Sequence, residues 1–482
     1  KNINWNYTTE PQTNLNGRRL WWPRGKVLGG CSAINAMCYT RGQVEDYDGW
    51  ANAGSSGWSW NDVLPYFLKA ENNERGRSEW HGVGGPFNVA DLRYRNVLSE
   101  TFIDGAEALG YPRNNDFNGE IQEGAGLYQV TQKDGRRCSA ATAYLRPALK
   151  RPNLHVVTGA LASRIEFRGT RATALRYRKS NKEHRVEVGR EILLSGGAIN
   201  SPQLLLLSGI GPAEQLRRLG IPVVADMQGV GGNLQDHLDI CTLVEVTKPV
   251  TYDMGPIREA LVGLRYLFDR SSLGSTNAAE AGAFLRSRFA LPGRPDIQMH
   301  FVPALLDDHG RNKLPGRGMT IHACNLRPES RGWLALKSAD PGDKPLIQPN
   351  YLAEPGDTNV LVEALKMSRD IFAAKPFMRW RGKEILPGGK TIDDAALRDF
   401  IRRKAETIYH PVGTCRMGTD KTAVVDSALK VHGVEGLRVV DASVMPTLVR
   451  GNTNAPTIMI AEKASDLITG QSLLSSGSQR TW

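Results

Sequence analysis

Short apolar runs that end at glycines or turn residues are the clearest pattern along the chain. One run, Ile192–Leu194, precedes a glycine pair at 196–197 and a second apolar stretch that ends at Gly209. This pattern predicts a strand, a turn and a helix. Ser201 suits an N-cap and Pro202 suits the first helical position, so we predict that the helix begins there.

A second junction of this kind lies near the C-terminus. The apolar run Leu437–Val440 is followed by Asp441, a loop and an amphipathic segment, which predicts a helix that begins near Pro456. Each junction places the N-terminal amides of a helix beside the carboxyl end of a strand, where α/β folds bind ligands. The two junctions therefore predict one shared cofactor crevice.

Between these junctions the hydrophobic pattern changes to a period near two. The segments PDIQMHFVPAL and RGWLALKSADP are typical of strands, and residues 357–373 are typical of an amphipathic helix. We interpret this region as an antiparallel sheet with helices on it, which forms an α+β cap on an α/β core.

Composition narrows the class of protein without fixing its function. The chain has 482 residues, 40% hydrophobic and 23% charged, which is typical of a globular protein. Its net charge of +11 is spread among acidic residues, so we expect no nucleic-acid partner. We expect no membrane span, because no window approaches 18 apolar residues. The six cysteines form no CxxC pair, so we expect a reducing compartment and no metal site.

Several common catalytic motifs are absent from the chain, and one histidine is the best candidate for a catalytic residue. The chain has no HExxH, EF-hand, Walker or Gly-x-Ser-x-Gly sequence, which removes the best support for metalloprotease, calcium-binding, phosphate-transfer and hydrolase functions. His410 lies in ETIYHPVGTCRMG, a stiff loop that suits proton transfer, although a purely structural hydrogen-bonding role stays open. His237, His300 and His322 rank below it.

Two asparagines precede the last predicted helix. Asn452 and Asn454 flank Thr453, where an asparagine can satisfy the turn backbone or cap the helix. If the helix start faces a cofactor, the same amides become donors toward a substrate oxygen or a cofactor ring.

Several longer phrases follow one another in an order that is specific for a known family. They are GKVLGGCSAINAMCYTRGQVEDYD, with Cys31 where the strict pattern has Gly, Ser or Thr, then RRCSAATAYL, GAINSPQLLLLSGIG, GVGGNLQDH, PESRGWLALKSADP and YHPVGTCRMG. On these phrases the whole chain resembles the glucose–methanol–choline (GMC) oxidoreductases, FAD enzymes that act on alcohols. It is most similar to the bacterial members of choline-dehydrogenase and alkanol-dehydrogenase type.

The resemblance implies a fold and a domain division. The expected fold is an α/β, Rossmann-like FAD-binding core of GMC type with an α+β antiparallel-sheet substrate-binding cap. The FAD domain would comprise residues 1–90, 150–245 and 420–482, and the cap residues 91–149 and 246–419. The family's opening strand and Gly-x-Gly-x-x-Gly turn do not occur in this sequence, so we expect at least one βαβ unit, about 30 residues or more, before Lys1.

The resemblance also implies roles for individual residues. His410 corresponds to the family's active-site histidine, and Asn452 to the position that carries a second His or an Asn. Members with covalent flavin carry a His where this chain has Ile34, which implies non-covalent FAD. The implied FAD contacts are Val27, Gly29, Gly30, Asn35, Ala36, Met37, Cys38, Ala162, Asp441, Ala442, Asn454, Pro456 and Thr457.

The resulting expectation is oxidation of an alcohol to an aldehyde or ketone by hydride transfer to flavin N5. His410 would act as the general base and Asn452 as the donor to the alkoxide. Glu280 is a candidate substrate contact that would favour a cation, although a structural or surface role ranks above it. Alternatives are a lyase of the hydroxynitrile type and an inactive truncated fragment that does not hold FAD.

The expected partners are a small alcohol and an electron acceptor, either a quinone, a dye or O₂. The expected location is cytoplasmic, with peripheral attachment to the inner membrane as a further expectation.

Overall fold

The structure, a computed structural model, describes residues 3–312, 314–391 and 393–471. Helices and short strands alternate along most of this length. The α-helices are Val44–Asn52, Trp60–Ala70, Val97–Glu107, Arg146–Ala148, Gly197–Leu207, Ala213–Arg218, Pro256–Phe268, Pro355–Ala373, Asp394–Lys404 and Asn454–Thr469. Among the described residues, no helix combines the length and the apolar character that crossing a membrane requires.

A seven-stranded antiparallel sheet is the largest sheet of the described chain. Six strands form its main path, in the order Arg381–Leu386, Leu238–Val246, Gly318–Asn325, Ile297–Val302, Ala281–Leu285 and Gly124–Leu127. The seventh strand, Glu406–Thr407, pairs with the beginning of Leu238–Val246. The antiparallel sheet predicted from the alternating segments is therefore confirmed.

The two faces of this sheet have different chemical character. Phe301 packs against Phe372 of helix Pro355–Ala373, with ring centroids 6.4 Å apart, and this face belongs to a hydrophobic core. Gln298 and His300 alternate with the apolar residues of the same strand and therefore lie on the opposite face. That opposite face carries the polar residues of the candidate site.

The two strand-to-helix junctions meet, as the sequence predicts. Strand Ile192–Leu194 pairs in parallel with Leu437–Val439, which ends one residue earlier than expected. The helix after the first strand is Gly197–Leu207, so the prediction that it begins at Ser201 and Pro202 is wrong.

The early start of this helix depends on contacts that are distant in sequence. Pro202 lies in the second turn and cannot donate to the carbonyl of Ala198, a loss that normally breaks a helix. The hydroxyl of Thr414 donates to that carbonyl at 2.6 Å instead. The Ser201 hydroxyl donates to Asp441 Oδ2 at 2.6 Å and does not act as an N-cap.

The last described helix, Asn454–Thr469, begins two residues before the predicted start at Pro456. Its N-cap is Thr453, which makes no side-chain capping hydrogen bond. The side chain of Thr453 therefore does not cap the amides of the first turn. Gly470 ends the helix with a φ of 71°, a left-handed conformation that glycine adopts without a steric penalty.

The remaining strands form small sheets around these elements. A three-stranded antiparallel sheet comprises Ala160–Arg168, Arg171–Lys179 and Lys182–Glu187. The other sheets pair Tyr7–Thr8 with Trp21–Trp22, Glu71–Asn73 with Phe87–Val89, Gln132–Lys133 with Arg136–Arg137, Ile210–Gly211 with Ala225–Asp226, and Trp333–Ala335 with Leu346–Gln348. The strand Trp333–Ala335 lies in the predicted segment RGWLALKSADP. The division of the chain into an FAD domain and a cap stays a prediction.

Candidate active site

His410 and Asn452 lie side by side in the structure. Asn452 Nδ2 is 3.2 Å from His410 Nε2. His410 follows the edge strand Glu406–Thr407, and Asn452 lies just before helix Asn454–Thr469. The fold therefore brings the two candidate catalytic groups together from separate parts of the chain.

The hydrogen bonds of Asn452 determine which way its amide points. Its Oδ1 accepts from Gln298 Nε2 at 3.0 Å and from the Thr40 hydroxyl at 3.2 Å. Its Nδ2 is therefore the donor toward His410 Nε2, and it also lies 3.5 Å from His300 Nε2. Because Nε2 of His410 receives this donor, it is the ring nitrogen without a proton.

His237 lies directly behind His410. The two Nδ1 atoms are 3.0 Å apart, and the rings meet edge to face at 88°. One of these nitrogens must donate, and the proton on His410 Nδ1 fills that role because its Nε2 is the acceptor. His410 is thus held in one tautomer, with its Nε2 lone pair toward Asn452.

Burial keeps these imidazoles neutral. It lowers the pKa of His410 well below its usual value, and positive charge on His237 or His300 would lower it further. Burial also lowers the pKa of His237 to about 3 and that of His300 to about 4. A neutral imidazole with an unprotonated nitrogen is the form that accepts a proton.

Asp236 fixes the backbone of His410. Its Oδ1 accepts from the His410 N–H at 2.7 Å, and its Oδ2 accepts from the hydroxyls of Thr407 and Tyr351. Burial raises the pKa of Asp236 to about 6. This network holds the ring of His410 on a segment whose preceding residue, Tyr409, has a φ of 73°.

Three groups in this cluster have a weaker sequence signal than His410. The sequence ranks His237 and His300 below His410 and offers no catalytic motif at Gln298. Gln298 and His300 occupy alternate positions of the apolar segment PDIQMHFVPAL, and a polar pair on one face of a buried strand was the available signal. The approach of His237 to His410 depends on tertiary packing and has no such signal.

The expected flavin-facing stretch leads to this cluster. Asn35 Oδ1 accepts from Arg137 at 2.7 Å and from the N–H of Met37, which has a φ of 61°. The Ala36 carbonyl accepts from Asn277, and Cys38 lies two residues before Thr40, the partner of Asn452. At the start of the stretch, Val27 is 41% exposed, and Gly29 and Gly30 have positive φ values of 91° and 54°.

Asp441 joins the two strand-to-helix junctions. Its Oδ2 accepts from the Gly197 N–H at 2.9 Å and from Ser201, and its Oδ1 accepts from the Ser443 N–H at 2.8 Å. Ala442 follows it in a short 3₁₀ turn, Ala442–Val444. Ala162, the expected adenine contact, lies on the separate strand Ala160–Arg168.

The start of helix Asn454–Thr469 is suited to a cofactor ring with carbonyl acceptors. Asn454 Nδ2 is buried and has no hydrogen-bond partner among the described residues. Helix dipoles favour electron-rich ligand atoms at such an N-terminus. Pro456 and Thr457 lie in its first turn, and the Thr457 hydroxyl donates back to the Thr453 carbonyl at 2.7 Å. The residues present therefore fit a flavin ring here.

The carboxylate of Glu280 accepts hydrogen bonds from other residues of the protein. Its side chain is fully buried and accepts from the Asn96 N–H at 2.7 Å and from the hydroxyls of Ser99, Thr276 and Tyr252. These four donors favour a structural role for Glu280. A contact between Glu280 and substrate stays a prediction.

Known proteins resemble this chain over nearly its whole length. It is 48% identical to human mitochondrial choline dehydrogenase over 475 residues, which cover 98% of this chain and 80% of that protein. It is 47% identical to an alcohol dehydrogenase [acceptor] of Pseudomonas putida, with 97% of this chain and 86% of that protein covered.

Solved structures show the same architecture. Pyridoxine 4-oxidase from Mesorbium loti has a TM-score of 0.89 at 32% identity, covering 98% of this chain and 89% of that one. Formate oxidase from Aspergillus oryzae has a TM-score of 0.90 at 26% identity, with the same coverage. These neighbours confirm the predicted fold class, an α/β core with an antiparallel-sheet cap.

Two family models match most of the chain. Both are described as GMC oxidoreductase, one over residues 9–239 and the other over residues 328–461. With these matches and with relatives above 40% identity, the chain belongs to the GMC oxidoreductase family.

Proposed function

We propose that this protein is an FAD-dependent enzyme that oxidises an alcohol to an aldehyde or ketone. The similarity to choline dehydrogenase and to alcohol dehydrogenase [acceptor] supports an oxidoreductase that acts on alcohols. The observation that carries the proposal is the neutral imidazole of His410, whose Nε2 lies 3.2 Å from the amide of Asn452.

FAD, when bound, supplies the two-electron acceptor that no side chain provides, with N5 as the atom that receives the hydride. The protein's own residues bind the alcohol and accept its hydroxyl proton. His410 Nε2 accepts the hydroxyl proton, a contribution that is typically worth about 10² to 10⁴ in rate. Asn452 Nδ2 donates to the oxygen as negative charge develops on it.

The neighbours of these two residues keep them in position for this chemistry. Gln298 and Thr40 orient the amide of Asn452, so that its Nδ2 faces His410 Nε2, beside which the alcohol oxygen is proposed to bind. His237 accepts from His410 Nδ1–H, which keeps the lone pair of His410 on Nε2. Such pre-organisation holds both groups in place, so the alcohol oxygen has only to replace the hydrogen bond between Asn452 and His410.

The bound FAD is proposed to be non-covalent. Ile34 offers no nucleophile at the position where covalent family members carry a histidine. The flavin contacts proposed from the resemblance are Val27, Gly29, Gly30, Asn35, Ala36, Met37, Cys38, Asp441, Ala442, Asn454, Pro456 and Thr457, with Ala162 at the adenine. Acid precipitation of purified holoenzyme should release all of the yellow chromophore into the supernatant.

Net oxidation is favoured over the alternatives. Choline dehydrogenase, alcohol dehydrogenase and pyridoxine 4-oxidase are all named for oxidations, which favours an oxidoreductase over a hydroxynitrile-type lyase. Similarity to structures of FAD enzymes likewise favours a flavoprotein over an inactive fragment. The electron acceptor is proposed to be a quinone or dye, or O₂.

We propose that the protein is cytoplasmic and that helix Pro256–Phe268 attaches it peripherally to the inner membrane. None of its residues is buried, and Ile257 and Phe268 are 80% and 85% exposed. Leu261, Leu264 and Leu267 are also exposed. Segment 256–270 carries three arginines against two acids, so an anionic lipid surface complements both its charge and its apolar side chains.

The test of the proposed activity is anaerobic reduction of the flavin by a panel of alcohols. The panel spans choline, aliphatic and aromatic alcohols and a polyol, and the bleaching of the flavin absorbance reports hydride transfer directly. We expect at least one alcohol to bleach the flavin with stoichiometric formation of the aldehyde or ketone. A flavin that stays oxidised with every alcohol would contradict the proposal.

A further inference from the structure

Three side chains of metal-ligand type meet on the seven-stranded sheet, outside the His410 cluster. His322 Nδ1 is 2.7 Å from Asp239 Oδ2 and 3.0 Å from Cys241 Sγ, and Cys241 Sγ is 3.9 Å from Asp239 Oδ2. One oxygen, one sulfur and one nitrogen thus lie within 4.8 Å of one another. His309 stacks on His322, with ring centroids 5.7 Å apart.

The register of the sheet creates this cluster. Asp239 and Cys241 are two positions apart on strand Leu238–Val246, so both side chains emerge on the same face. His322, on strand Gly318–Asn325, is the direct antiparallel partner of Cys241. Two ligands at alternate positions of one strand and a third on the neighbouring strand form a triangle on a rigid support.

The buried carboxylate of Asp239 also points to a cation. Its side chain is fully buried, and its Oδ1 has no hydrogen-bond partner among the described residues. The neighbouring cations are engaged elsewhere, because Lys404 binds Asp307 and Arg18 binds Glu406. His322 Nδ1, 2.7 Å from Asp239 Oδ2, is a cationic partner only when its ring is protonated. A buried carboxylate without a permanent positive charge beside it is costly, so a bound cation would stabilise this site.

We propose that Asp239, Cys241 and His322 bind a divalent transition-metal ion of the Zn²⁺ class. A carboxylate, a thiolate and an imidazole are ligands that Zn²⁺ prefers, and the two negative charges balance a dication. Three protein ligands leave a fourth position for water or a small anion. This metal site is independent of the proposed oxidation. It departs from the expectation of no metal, because that expectation depends on local motifs, and Cys241 and His322 are 81 residues apart.

Metal binding has a defined proton balance. The Sγ–H bond of Cys241 breaks as the metal–sulfur bond forms, and one proton passes to the buffer. Before binding, His322 Nδ1–H donates to Asp239 Oδ2 at 2.7 Å. This N–H bond also breaks when the metal binds Nδ1, the coordinating ring is neutral with its proton on Nε2, and no electron is transferred.

The site is adjacent to the proposed active site but separate from it. His322 is the direct cross-strand partner of His300, which approaches Asn452. The proposed metal ligands do not include His410 or Asn452. Metal binding can therefore be measured on the holoenzyme in the absence of an alcohol.

The test titrates holoenzyme with Co²⁺, whose ligand-field bands lie at longer wavelength than flavin absorption. All proteins carry Cys31→Ser, because Cys31 is an exposed thiol that would bind metal by itself. We expect one Co²⁺ per chain, ligand-field bands of bound Co²⁺, a thiolate-to-cobalt band in the difference spectrum against metal-free holoenzyme, and release of at least one proton. Competition with a chromophoric chelator then gives the Zn²⁺ affinity.

Matched variants separate ligand loss from unfolding. Cys241→Ser should abolish the thiolate band, and Cys241→Ser and Asp239→Asn should each weaken Zn²⁺ binding by about tenfold or more. Cys138→Ser, at another buried free thiol, should change neither quantity. Flavin content and the melting temperature verify that each variant is folded. No stoichiometric binding, or binding that both ligand variants leave unchanged, would overturn the proposal.

Discussion

The amide nitrogen of Asn452 lies 3.2 Å from Nε2 of His410, although the two residues are 42 positions apart. Their orientation is fixed by neighbours on both sides, Gln298 and Thr40 at the amide and His237 at the imidazole. A donor and a lone pair that face each other across this distance can both reach one alcohol oxygen placed beside them.

Replacing His410 by Ala should slow flavin reduction by about 10² to 10⁴ at saturating alcohol, because the hydroxyl proton then has no positioned acceptor. Flavin content should stay close to that of the unchanged protein. Anaerobic stopped-flow absorbance measures the reduction rate. His184→Ala is the control, because His184 lies on an exposed strand of the three-stranded sheet, Lys182–Glu187. Equal reduction rates in the His410 variant and the control would show that His410 is not the base that accepts the hydroxyl proton.

Asn452→Ala should lower the flavin-reduction rate by about 10² to 10³, the usual effect of losing one donor to a developing oxyanion. Asn452→Asp should be slower still at neutral pH, since a carboxylate cannot donate to the alkoxide and would favour protonated His410. The discriminating measurement is the dependence of each rate on pH. The assignment fails if the Ala variant reacts as fast as the unchanged enzyme.

The pH profile of flavin reduction should be flat through the neutral range. His410 acts as a base in its neutral form, and burial holds its pKa well below the ordinary value of 6.5. The active form is therefore lost only as the pH falls below 6.5, and it is fully present above that value. Rates with a saturating alcohol, measured from neutral to acidic pH, give the position of the acidic limb. A limb at or above pH 6.5 would contradict a buried neutral base.

Sequence patterns predicted the strands of both junctions, the long helix within Pro355–Ala373 and the antiparallel sheet, because each depends on local periodicity. Motifs also singled out His410 and Asn452. The His237 contact and the Asp239, Cys241 and His322 cluster were not predictable in this way. They arise from sheet register and loop packing, which bring together residues that no local pattern relates.

Attachment to lipid should depend on the exposed apolar residues of helix Pro256–Phe268. Leu261→Asp should reduce co-sedimentation with phosphatidylglycerol vesicles by about tenfold or more, because an acidic side chain opposes both apolar insertion and attraction to anionic lipid. Ile121→Asp is the matched control, at a residue 66% exposed outside this helix. If the unchanged protein pellets equally poorly with anionic and zwitterionic vesicles, the membrane proposal is wrong.

The stability of helix Gly197–Leu207 should depend on the hydroxyl of Thr414. Pro202 leaves the Ala198 carbonyl without its helical partner, and Thr414 Oγ1 donates to that carbonyl at 2.6 Å. Thr414→Val keeps the shape but leaves a buried acceptor unsatisfied, so the free energy of unfolding should fall by about 1 to 3 kcal/mol. Thr414→Ser retains the donor and should lose clearly less.

Urea unfolding of the two Thr414 variants, followed by tryptophan fluorescence, measures this difference. A third variant, Pro202→Ala combined with Thr414→Val, restores the N–H of residue 202 as a donor to the Ala198 carbonyl and should recover part of the lost stability. Recovery would identify the carbonyl as the cause, because Thr414 and residue 202 would then substitute for one another at the same acceptor. Equal stability of the Val and Ser variants would instead mean that the helix tolerates the proline without this hydrogen bond.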